Sequence, residues 1–284
     1  MTVDRALRDS INHRLANVAA EQQVAPDRVR RHFAFQRILV RLSATDGWVL
    51  KGGFALEVRL GLQARATKDL DLAMLDDLDG AEVQDRLLDA LDVDADDGLT
   101  FQVSAPKALA EDETGNPGWK FAVTSFLGGK VFAPLRLDVV ARSAEIAGAV
   151  GSVEVHPPIL AERLNSATMP AVDVAQHAAE KFHAMARTYA GSRPSSRVKD
   201  LVDVVLLADA GLLPHPDLHS RLQVVWQVRD GVPPPAELPE FPASWQTDYA
   251  VMAAEADLPV AYSTARSTAE RLFAEAVTPE ENHP

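Results

Sequence analysis

The chain of 284 residues contains no cysteine, so it can form neither a disulfide nor a thiolate metal site, and nothing points to an oxidising compartment. It has no uncharged apolar run of transmembrane length. A basic segment followed by an apolar one, which marks a secretory signal, is also missing from its start. Aromatic residues are few, at 6%, whereas a hydrophobic content of 47% is ordinary for a globular protein. We therefore expect a cytoplasmic protein that does not associate with a membrane.

Positive charge is in deficit overall, but one segment accounts for most of the deficit. The formal net charge is −13, and residues 76–97 hold ten Asp or Glu against Arg86 alone. Residues 180–200, in contrast, hold five Lys or Arg against two acids. Local patches rather than whole-chain charge govern contacts with phosphates, so this balance neither requires nor excludes an RNA partner.

The spacing of apolar residues divides the chain into two parts. Residues 48–50 and 68–75 are predicted strands on either side of a short helix, and more strands follow them. Helical patterns predominate later, interrupted by five prolines between Pro233 and Pro242 that indicate an extended connection. The prediction is an α+β (α/β), bilobed protein, with a mixed-sheet lobe at residues 1–160 and a mainly helical lobe at residues 161–284.

A pair of aspartates follows a Gly-Gly turn in the first of these parts. Side chains two apart in a strand point to the same face, so Asp69 and Asp71 are expected side by side. Close carboxylates repel each other unless a cation such as Mg²⁺ or Mn²⁺ neutralises them. Asp138, in an otherwise apolar strand, is a candidate third ligand, and the amides of Gly52 and Gly53 are candidates to bind a triphosphate. The pattern indicates phosphoryl or nucleotidyl transfer; the alternative is surface charges beside a plain turn.

This ensemble resembles the nucleotidyltransferase pattern of a Gly-Gly or Gly-Ser turn, an Asp-x-Asp pair and a later strand carboxylate. More narrowly, it resembles the AbiEii/AbiGii toxin family, which includes the MenT-like toxins of AbiE-type toxin–antitoxin systems. The resemblance rests on these segments: Lys51–Leu56, Arg65–Asp71, Ala179–Met185 and Arg197–Val204.

By this resemblance, Asp69 and Asp71 are catalytic metal ligands, Mg²⁺ or Mn²⁺ is the cofactor and an NTP is a substrate. Lys181 is expected to contact the nucleotide phosphates, although a lysine on an amphipathic helix more often faces water. Asp200 or Asp203 is expected to complete the catalytic site. These two are three apart on a predicted helix and can share a face, so the sequence does not choose between them.

Four further residues near the aspartate pair are candidates for binding or regulation. Lys68, Arg59 and Arg65 are predicted to bind the nucleotide, although the two arginines could equally brace the acidic strand. Family members are controlled by modification of a hydroxyl residue at the place of Thr67. A phosphate there would add close to two negative charges beside the metal site and oppose the incoming triphosphate.

The resemblance implies a toxin that transfers a nucleoside monophosphate from an NTP to an RNA 3′ end. The tRNA acceptor stem is the leading acceptor, and blocked aminoacylation and translation is the expected outcome. A cognate AbiEi-like antitoxin is implied by the family, and a monomer is the default assumption. One alternative is a small-molecule nucleotidyltransferase, whose cationic substrate, such as an aminoglycoside, the acidic segment 78–97 would attract. The other is a catalytically inactive binding protein of the same fold.

Overall fold

The computed structural model of this chain describes residues 2–76, 78–109, 118–141, 143–159, 161, 163–189, 193–194 and 197–278. Contacts divide the chain into two compact units. Unit 1 comprises Met1–Arg59, Thr67–Ser143 and Gly151–Ala171, and unit 2 comprises Leu60–Ala66, Ala144–Val150 and Val172–Pro284. The division into lobes at residues 1–160 and 161–284 stays a prediction.

Unit 1 contains a mixed β-sheet with helices, as predicted. Its helices are α1 (Thr2–Glu21), α2 (Pro26–Leu42), α3 (Gly52–Leu60) and α4 (Gly80–Leu91). Its strands are β1 (Trp48–Lys51), β2 (Leu70–Met74), β3 (Leu99–Val103), β4 (Lys107–Ala108), β5 (Gly118–Leu127), β6 (Lys130–Ala141), β7 (Val150–Val155) and β8 (Ala167–Val172). The end residues Leu60, Val150 and Val172 of these elements belong to unit 2. In the described residues the sheet order is β3-β5-β6-β2-β1-β8-β7, and β4 also pairs with β5. Strand β2 runs parallel to β6 and antiparallel to β1, so the predicted mixed-sheet class is confirmed.

The core of unit 1 lies between the sheet and its helices. Leu70 and Leu72 of β2 are fully buried in it, which confirms that the residues next to the aspartates turn inward. Helix α2 begins at Pro26, where a missing N–H costs nothing because the first amides of a helix have no intrahelical partner. Helix α4 begins with a capping box, in which the side chains of Asp79 and Glu82 bind each other's backbone N–H groups.

The start of β2 and the presence of β8 differ from the sequence-based prediction. The strand predicted at residues 68–75 begins only at Leu70, so Thr67 precedes the strand. Its N–H donates to Glu57 Oε1 at 2.6 Å and its C=O accepts from Arg31 Nε at 2.8 Å, so side chains replace a neighbouring strand as hydrogen-bond partners. Strand β8 was not predicted, because Pro170 within it lacks the N–H that strand pairing needs.

Unit 2 is mainly helical, as predicted. Its helices are α5 (Ser143–Ile146, of which Ser143 belongs to unit 1), α6 (Val174–Ala186), α7 (Val198–Asp209), α8 (Leu218–Asp230), α9 (Trp245–Glu255) and α10 (Tyr262–Val277). Two short strands, β9 (Thr188–Tyr189) and β10 (Arg193–Pro194), pair between α6 and α7.

The helices of unit 2 pack around aromatic side chains. The ring of Phe273 on α10 lies 5.4 Å from that of Phe182 on α6 and 5.8 Å from that of Trp226 on α8, measured between centroids. Aromatic pairs at this separation contribute to packing beyond the area they bury. None of the helices in the described residues combines the length and apolar character needed to cross a membrane.

Candidate active site

Four charged residues form a row across the sheet of unit 1. The strand register pairs Lys51 of β1 with Asp71 of β2, and Asp71 with Asp138 of β6. Asp138 in turn pairs with Lys120 of β5. Directly paired residues of neighbouring strands project from the same face of a sheet. The row therefore places two carboxylates next to each other, with one lysine on each side.

Asp69 lies immediately before β2, two residues from Asp71. We call Asp69, Asp71 and Asp138 the aspartate row, and two exposed cations approach its carboxylates. Arg136 Nη1 lies 4.0 Å from Asp69 Oδ1, and Lys120 Nζ lies 3.4 Å from Asp138 Oδ2. Both cations are more than a third exposed, so water screens these contacts and the negative charge is only partly offset.

The pKa of Asp138 reports how closely the three aspartates interact. Burial of the side chain is the largest cause that raises this pKa above its usual value, and the negative charges of Asp71 and Asp69 raise it further. Lys120 acts in the opposite direction without reversing the shift. The aspartates singled out in the sequence are therefore close enough to repel each other.

Two oxygens in this group are buried without a hydrogen-bond donor from the described residues, namely Asp69 Oδ1 and Asp138 Oδ1. A buried carboxylate oxygen without a donor is destabilising unless a cation binds it, so both fit a divalent ion by their chemistry. Across the described parts of the chain, no group of three or more His, Cys, Asp or Glu side chains is arranged to hold a metal ion together. The three-ligand set with Asp71 thus stays a prediction.

The Gly-Gly turn packs directly against the aspartate row. Helix α3 begins at Gly52, whose φ of +64° lies in the left-handed region that favours glycine. A Cβ at this position would lie 2.5 Å from Cγ and 2.6 Å from Cβ of Asp71, and closer still to a carboxylate oxygen. Only glycine therefore leaves room for the carboxylate of Asp71. Gly53 is buried in the first turn of the same helix.

Thr67, which precedes β2, makes three hydrogen bonds. The residue is 8% exposed, and its hydroxyl donates to the Asp69 carbonyl at 3.2 Å, in addition to its two backbone contacts with Glu57 and Arg31. Of the two neighbouring cations predicted to bind nucleotide, Lys68 is exposed and Arg59 is half-buried in the last turn of α3.

In unit 2, Lys181 of α6 lies between two aspartates of α7. Its Nζ is 2.9 Å from Asp200 Oδ1 and 3.0 Å from Asp203 Oδ2, and both carboxylates are fully buried. Asp200 also accepts from Arg197 Nε at 2.8 Å. Asp203 accepts two hydrogen bonds of 3.0 Å from the guanidinium of Arg65. The two aspartates that the sequence could not separate thus share one partner, and Arg65 braces Asp203 instead of the acidic strand.

These contacts keep the lysine and the two aspartates ionised. Burial lowers the pKa of Lys181 as the largest single effect, but the negative charges of Asp200 and Asp203 outweigh it and raise this pKa above its usual value. Burial likewise raises the pKa of Asp203, but Lys181 and Arg65 outweigh that effect and hold it well below its usual range. Lys181 is therefore a charged ammonium at neutral pH in a fixed position.

Sequence reasoning missed the cations that accompany the aspartates. Lys120, Arg136 and Arg197 each contact one of the predicted carboxylates. Lys51 belongs to the glycine-turn motif but had no predicted role, and the strand register places it beside Asp71. Only the pairing of β5 with β6 identifies Lys120, because that register cannot be read from either strand alone. Arg197 did carry a signal, since it lies three residues before Asp200 at helical spacing.

Comparisons with known proteins agree with this fold. The AbiEii family, described as a nucleotidyl transferase AbiEii toxin of a type IV toxin–antitoxin system, matches residues 34–271. Among curated proteins, none matches the chain.

Solved structures that resemble this fold include MenT4 and JHP933. MenT4, a nucleotidyltransferase toxin from Mycobacterium tuberculosis H37Rv, has 20% sequence identity and a TM-score of 0.53, and the match covers 93% of this chain and 97% of MenT4. JHP933 from Helicobacter pylori has 18% identity and a TM-score of 0.52, with 89% of this chain and 94% of JHP933 covered. At these identities the likeness establishes the fold alone.

Proposed function

Since this chain belongs to the AbiEii family of nucleotidyltransferase toxins of type IV toxin–antitoxin systems, we propose that it transfers a nucleoside monophosphate from an NTP to an RNA 3′ end. The predictions of the family and of a nucleotidyltransferase are confirmed, and the family implies a cognate antitoxin. The acceptor in this proposal is the acceptor stem of tRNA, and the outcome is blocked aminoacylation and translation. The protein acts as a monomer.

The observation that carries the proposal is the aspartate row, in which two buried oxygens have no hydrogen-bond donor from the described residues. The transfer reaction brings the negative phosphates of the NTP next to carboxylates, and these groups repel each other. A divalent cation bound between them neutralises this repulsion. In this proposal Asp69 and Asp138 offer their open oxygens to Mg²⁺ or Mn²⁺, and Asp71 completes the ligand set. The bound ion supplies charge neutralisation of the phosphates; positioning is the task of the chain itself.

Positioning is assigned to the glycine turn and to nearby cations. The first amides of α3, at Gly52 and Gly53, have no intrahelical acceptor and donate to a phosphate. Lys68 and Arg59 bind the nucleotide from the neighbouring segments.

In this proposal Lys181 and the charged residues around it in unit 2 also serve nucleotide binding. Lys181 contacts nucleotide phosphates, while Asp200 and Asp203 hold its ammonium group and keep it charged. Arg65, predicted to bind nucleotide itself, acts in this proposal through Asp203, which it holds with two hydrogen bonds. Thr67 stays the candidate for regulation by phosphorylation.

The test is incorporation of label into total tRNA. Purified protein is incubated with tRNA, Mg²⁺ and each α-labelled NTP in turn, together with the variants Asp69→Ala and Asp89→Ala. Asp89 is the matched control because it is an exposed aspartate of α4, outside the row. We expect incorporation by the wild type and by Asp89→Ala, and none by Asp69→Ala.

Two results would contradict the proposal. An active Asp69→Ala protein would remove the aspartate row from the reaction. No incorporation with any NTP, by folded wild-type protein, would refute transfer to tRNA.

A further inference from the structure

The segment that carries Asp69 lies outside the strand pairing of the sheet. The pairing of β1 with β2 ends at Lys51 and Asp71, and the pairing of β2 with β6 begins at Leu70. Within the described part of the chain, neither register includes residues 67–69. Backbone groups without a strand partner need other donors and acceptors, and these then determine where the chain lies. The position of Asp69 relative to Asp71 therefore depends on contacts from outside the sheet.

Two side chains supply such contacts at Thr67. Its N–H donates to Glu57 Oε1 at 2.6 Å, and its C=O accepts from Arg31 Nε at 2.8 Å. A carboxylate and a guanidinium form stronger hydrogen bonds with a peptide group than another peptide group does. The hydroxyl of Thr67 also donates to the carbonyl of Asp69 at 3.2 Å. The backbone of Thr67 is therefore held from two directions, two residues before Asp69, and the held residue contacts the aspartate's own peptide group.

Glu57 has fixed partners of its own. It is 2% exposed, with His32 Nδ1 at 2.8 Å from Oε2 and Arg28 Nη2 at 3.9 Å from Oε1. The other ring nitrogen of His32 lies 3.1 Å from Gln36 Nε2. Arg28, His32 and Gln36 are spaced four residues apart on α2 and share one face of that helix. A buried carboxylate with partners on one helix face has a single well-defined position, so it can hold Thr67 in one place.

Helix α3 connects Glu57 to the other end of the aspartate pair. Its first residue, Gly52, packs against the side chain of Asp71, and Glu57 follows five residues later in the same helix. One rigid element thus contacts Asp71 directly and reaches Asp69 through Thr67. The separation of the two aspartates is therefore set by α3 as well as by the chain between them.

We infer that Glu57 and Arg31 are positioning residues that fix Asp69 through Thr67, an inference that rests on the proposed function, in which Asp69 binds a divalent ion. Residues that orient a metal ligand typically contribute about tenfold to hundredfold to metal affinity. A ligand that must first be brought into place binds the ion less tightly. Loss of either contact should therefore weaken binding of the ion more than it slows transfer at a saturating concentration of the ion.

The first experiment compares Mn²⁺ binding by the full-length wild type and Arg31→Met. The electron paramagnetic resonance signal of unbound Mn²⁺ reports the affinity without any need for activity. Arg31 is half-buried, and methionine keeps an apolar side chain while it removes the guanidinium. We expect Arg31→Met to bind Mn²⁺ about tenfold more weakly. Arg30→Met is the matched control, because Arg30 is the neighbouring arginine of α2 and contacts the exposed Asp27, and it should bind Mn²⁺ like the wild type.

Two variants of Glu57 test the other contact. Glu57→Ala removes the acceptor of the Thr67 N–H and should also bind Mn²⁺ about tenfold more weakly. Glu57→Gln keeps an oxygen that can accept from this N–H and should recover part of the lost affinity. Urea unfolding identifies conditions in which each variant is fully folded, and binding is measured there. If Glu57→Ala does not fold, Arg31→Met and Glu57→Gln carry the test.

The dependence of incorporation on Mn²⁺ separates positioning from a purely structural role. In Arg31→Met the Mn²⁺ concentration for half-maximal incorporation should rise about tenfold, while kcat at saturating Mn²⁺ stays close to the wild-type value. A purely structural role would lower the amount of active protein. It would therefore reduce kcat at every Mn²⁺ concentration and leave the half-maximal concentration unchanged.

Three results would overturn the inference. The first is unchanged Mn²⁺ affinity in folded Arg31→Met. The second is an equal loss of affinity in Arg30→Met, because removal of a charge from α2 would then explain the effect. The third is a wild-type protein that binds no Mn²⁺, which would also remove the proposed ligand role of Asp69.

Failure of the positioning role and failure of the proposed function give different results. If wild-type protein incorporates no label in the tRNA assay while Arg31→Met binds Mn²⁺ more weakly than the wild type, the proposed function fails and the positioning role stands. If wild-type protein incorporates label while Arg31→Met and Glu57→Ala bind Mn²⁺ normally, the positioning role fails and the proposed function stands.

Discussion

Replacement of Gly52 by alanine is the most direct test of the packing between the glycine turn and the aspartate row. Gly52 has a φ of +64°, and the added Cβ would lie 2.5 Å from Cγ of Asp71. The left-handed conformation costs an alanine about 1–2 kcal/mol. Forcing a methyl group into an occupied space adds about 1–3 kcal/mol. Alanine also restricts the unfolded chain, which offsets about 0.4–1 kcal/mol.

Gly61 offers a control with almost the same backbone conformation. Its φ is +70°, and a Cβ there would meet no atom within 4 Å. The conformational cost and the unfolded-chain effect are therefore shared by Gly61→Ala, and only the clash distinguishes Gly52→Ala. The free energy of unfolding in urea should be lower in Gly52→Ala than in Gly61→Ala by about 1–3 kcal/mol.

Nucleotide incorporation gives a second, independent measurement on the same pair of variants. The clash involves Cβ of Asp71 as well as its carboxylate, so the side chain cannot rotate away without movement of strand β2. Gly52→Ala should therefore lose most of its activity under conditions in which it is fully folded, whereas Gly61→Ala should keep it. Equal stability of the two variants would refute the reasoning, because the close approach of the turn to Asp71 would then have no energetic effect.

Four further predictions concern Asp138, Asp203, Asp97 and Thr67. Asp138→Asn should leave the free energy of unfolding unchanged or slightly raised, because like-charge repulsion is removed. Asp203→Ala should lower the free energy of unfolding by about 3–5 kcal/mol, because Lys181 and Arg65 are left short of a buried counter-ion. Urea unfolding tests both variants, and a destabilised Asp138→Asn would contradict the first prediction. Burial raises the pKa of Asp97, but two arginines outweigh that effect and hold this pKa below its usual value of 3.8. The stability that Asp97 contributes should therefore be complete above pH 3.8 and fall as the pH drops through its lower pKa in the folded state. The unfolding free energies of wild type and Asp97→Asn should converge only in that acidic range. Thr67→Val should lose the hydroxyl's hydrogen bond and about 1 kcal/mol of stability, and it should remain active. Thr67→Glu should abolish nucleotide incorporation, because it places a negative charge where a phosphate would be added. Full activity of Thr67→Glu would refute the hypothesis of regulation at this residue.

The local parts of the fold could be predicted from the sequence because they depend on local signals. Helix α2 begins at its proline, and the strands around the glycine turn follow apolar runs that the core then buries. Strand β8 could not be predicted, since its position between β1 and β7 is set by distant partners and its proline suggests a break. The start of β2 was predicted too early because Glu57 and Arg31, far away in sequence, bind the backbone of Thr67.

The acidic segment shows the same limit. Its composition does not distinguish Asp97 from the other acids, yet Asp97 is completely buried and binds Arg37 and Arg41 of α2 at 2.7 and 2.8 Å. Two arginines on one helix, four residues apart, match the spacing at which side chains share a face. That spacing hinted at a shared partner without identifying it, because ten acids of the segment were equally available.

The candidate residues were found by residue type and spacing, but their surroundings divide them into two chemical classes. Asp69 and Asp138 each retain one oxygen without a donor from the described residues, and the negative charges of Asp71 and Asp69 contribute to the raised pKa of Asp138. The aspartates of α7 are surrounded by cations that keep them charged. Groups of the first class are poorly satisfied by the fold alone, which is the condition expected where a substrate or ion supplies the missing interaction. Groups of the second class are satisfied within unit 2, so they act through Lys181, whose ammonium they fix. The sign of the stability change on removing each aspartate therefore separates a residue that awaits a ligand from one that positions a neighbour.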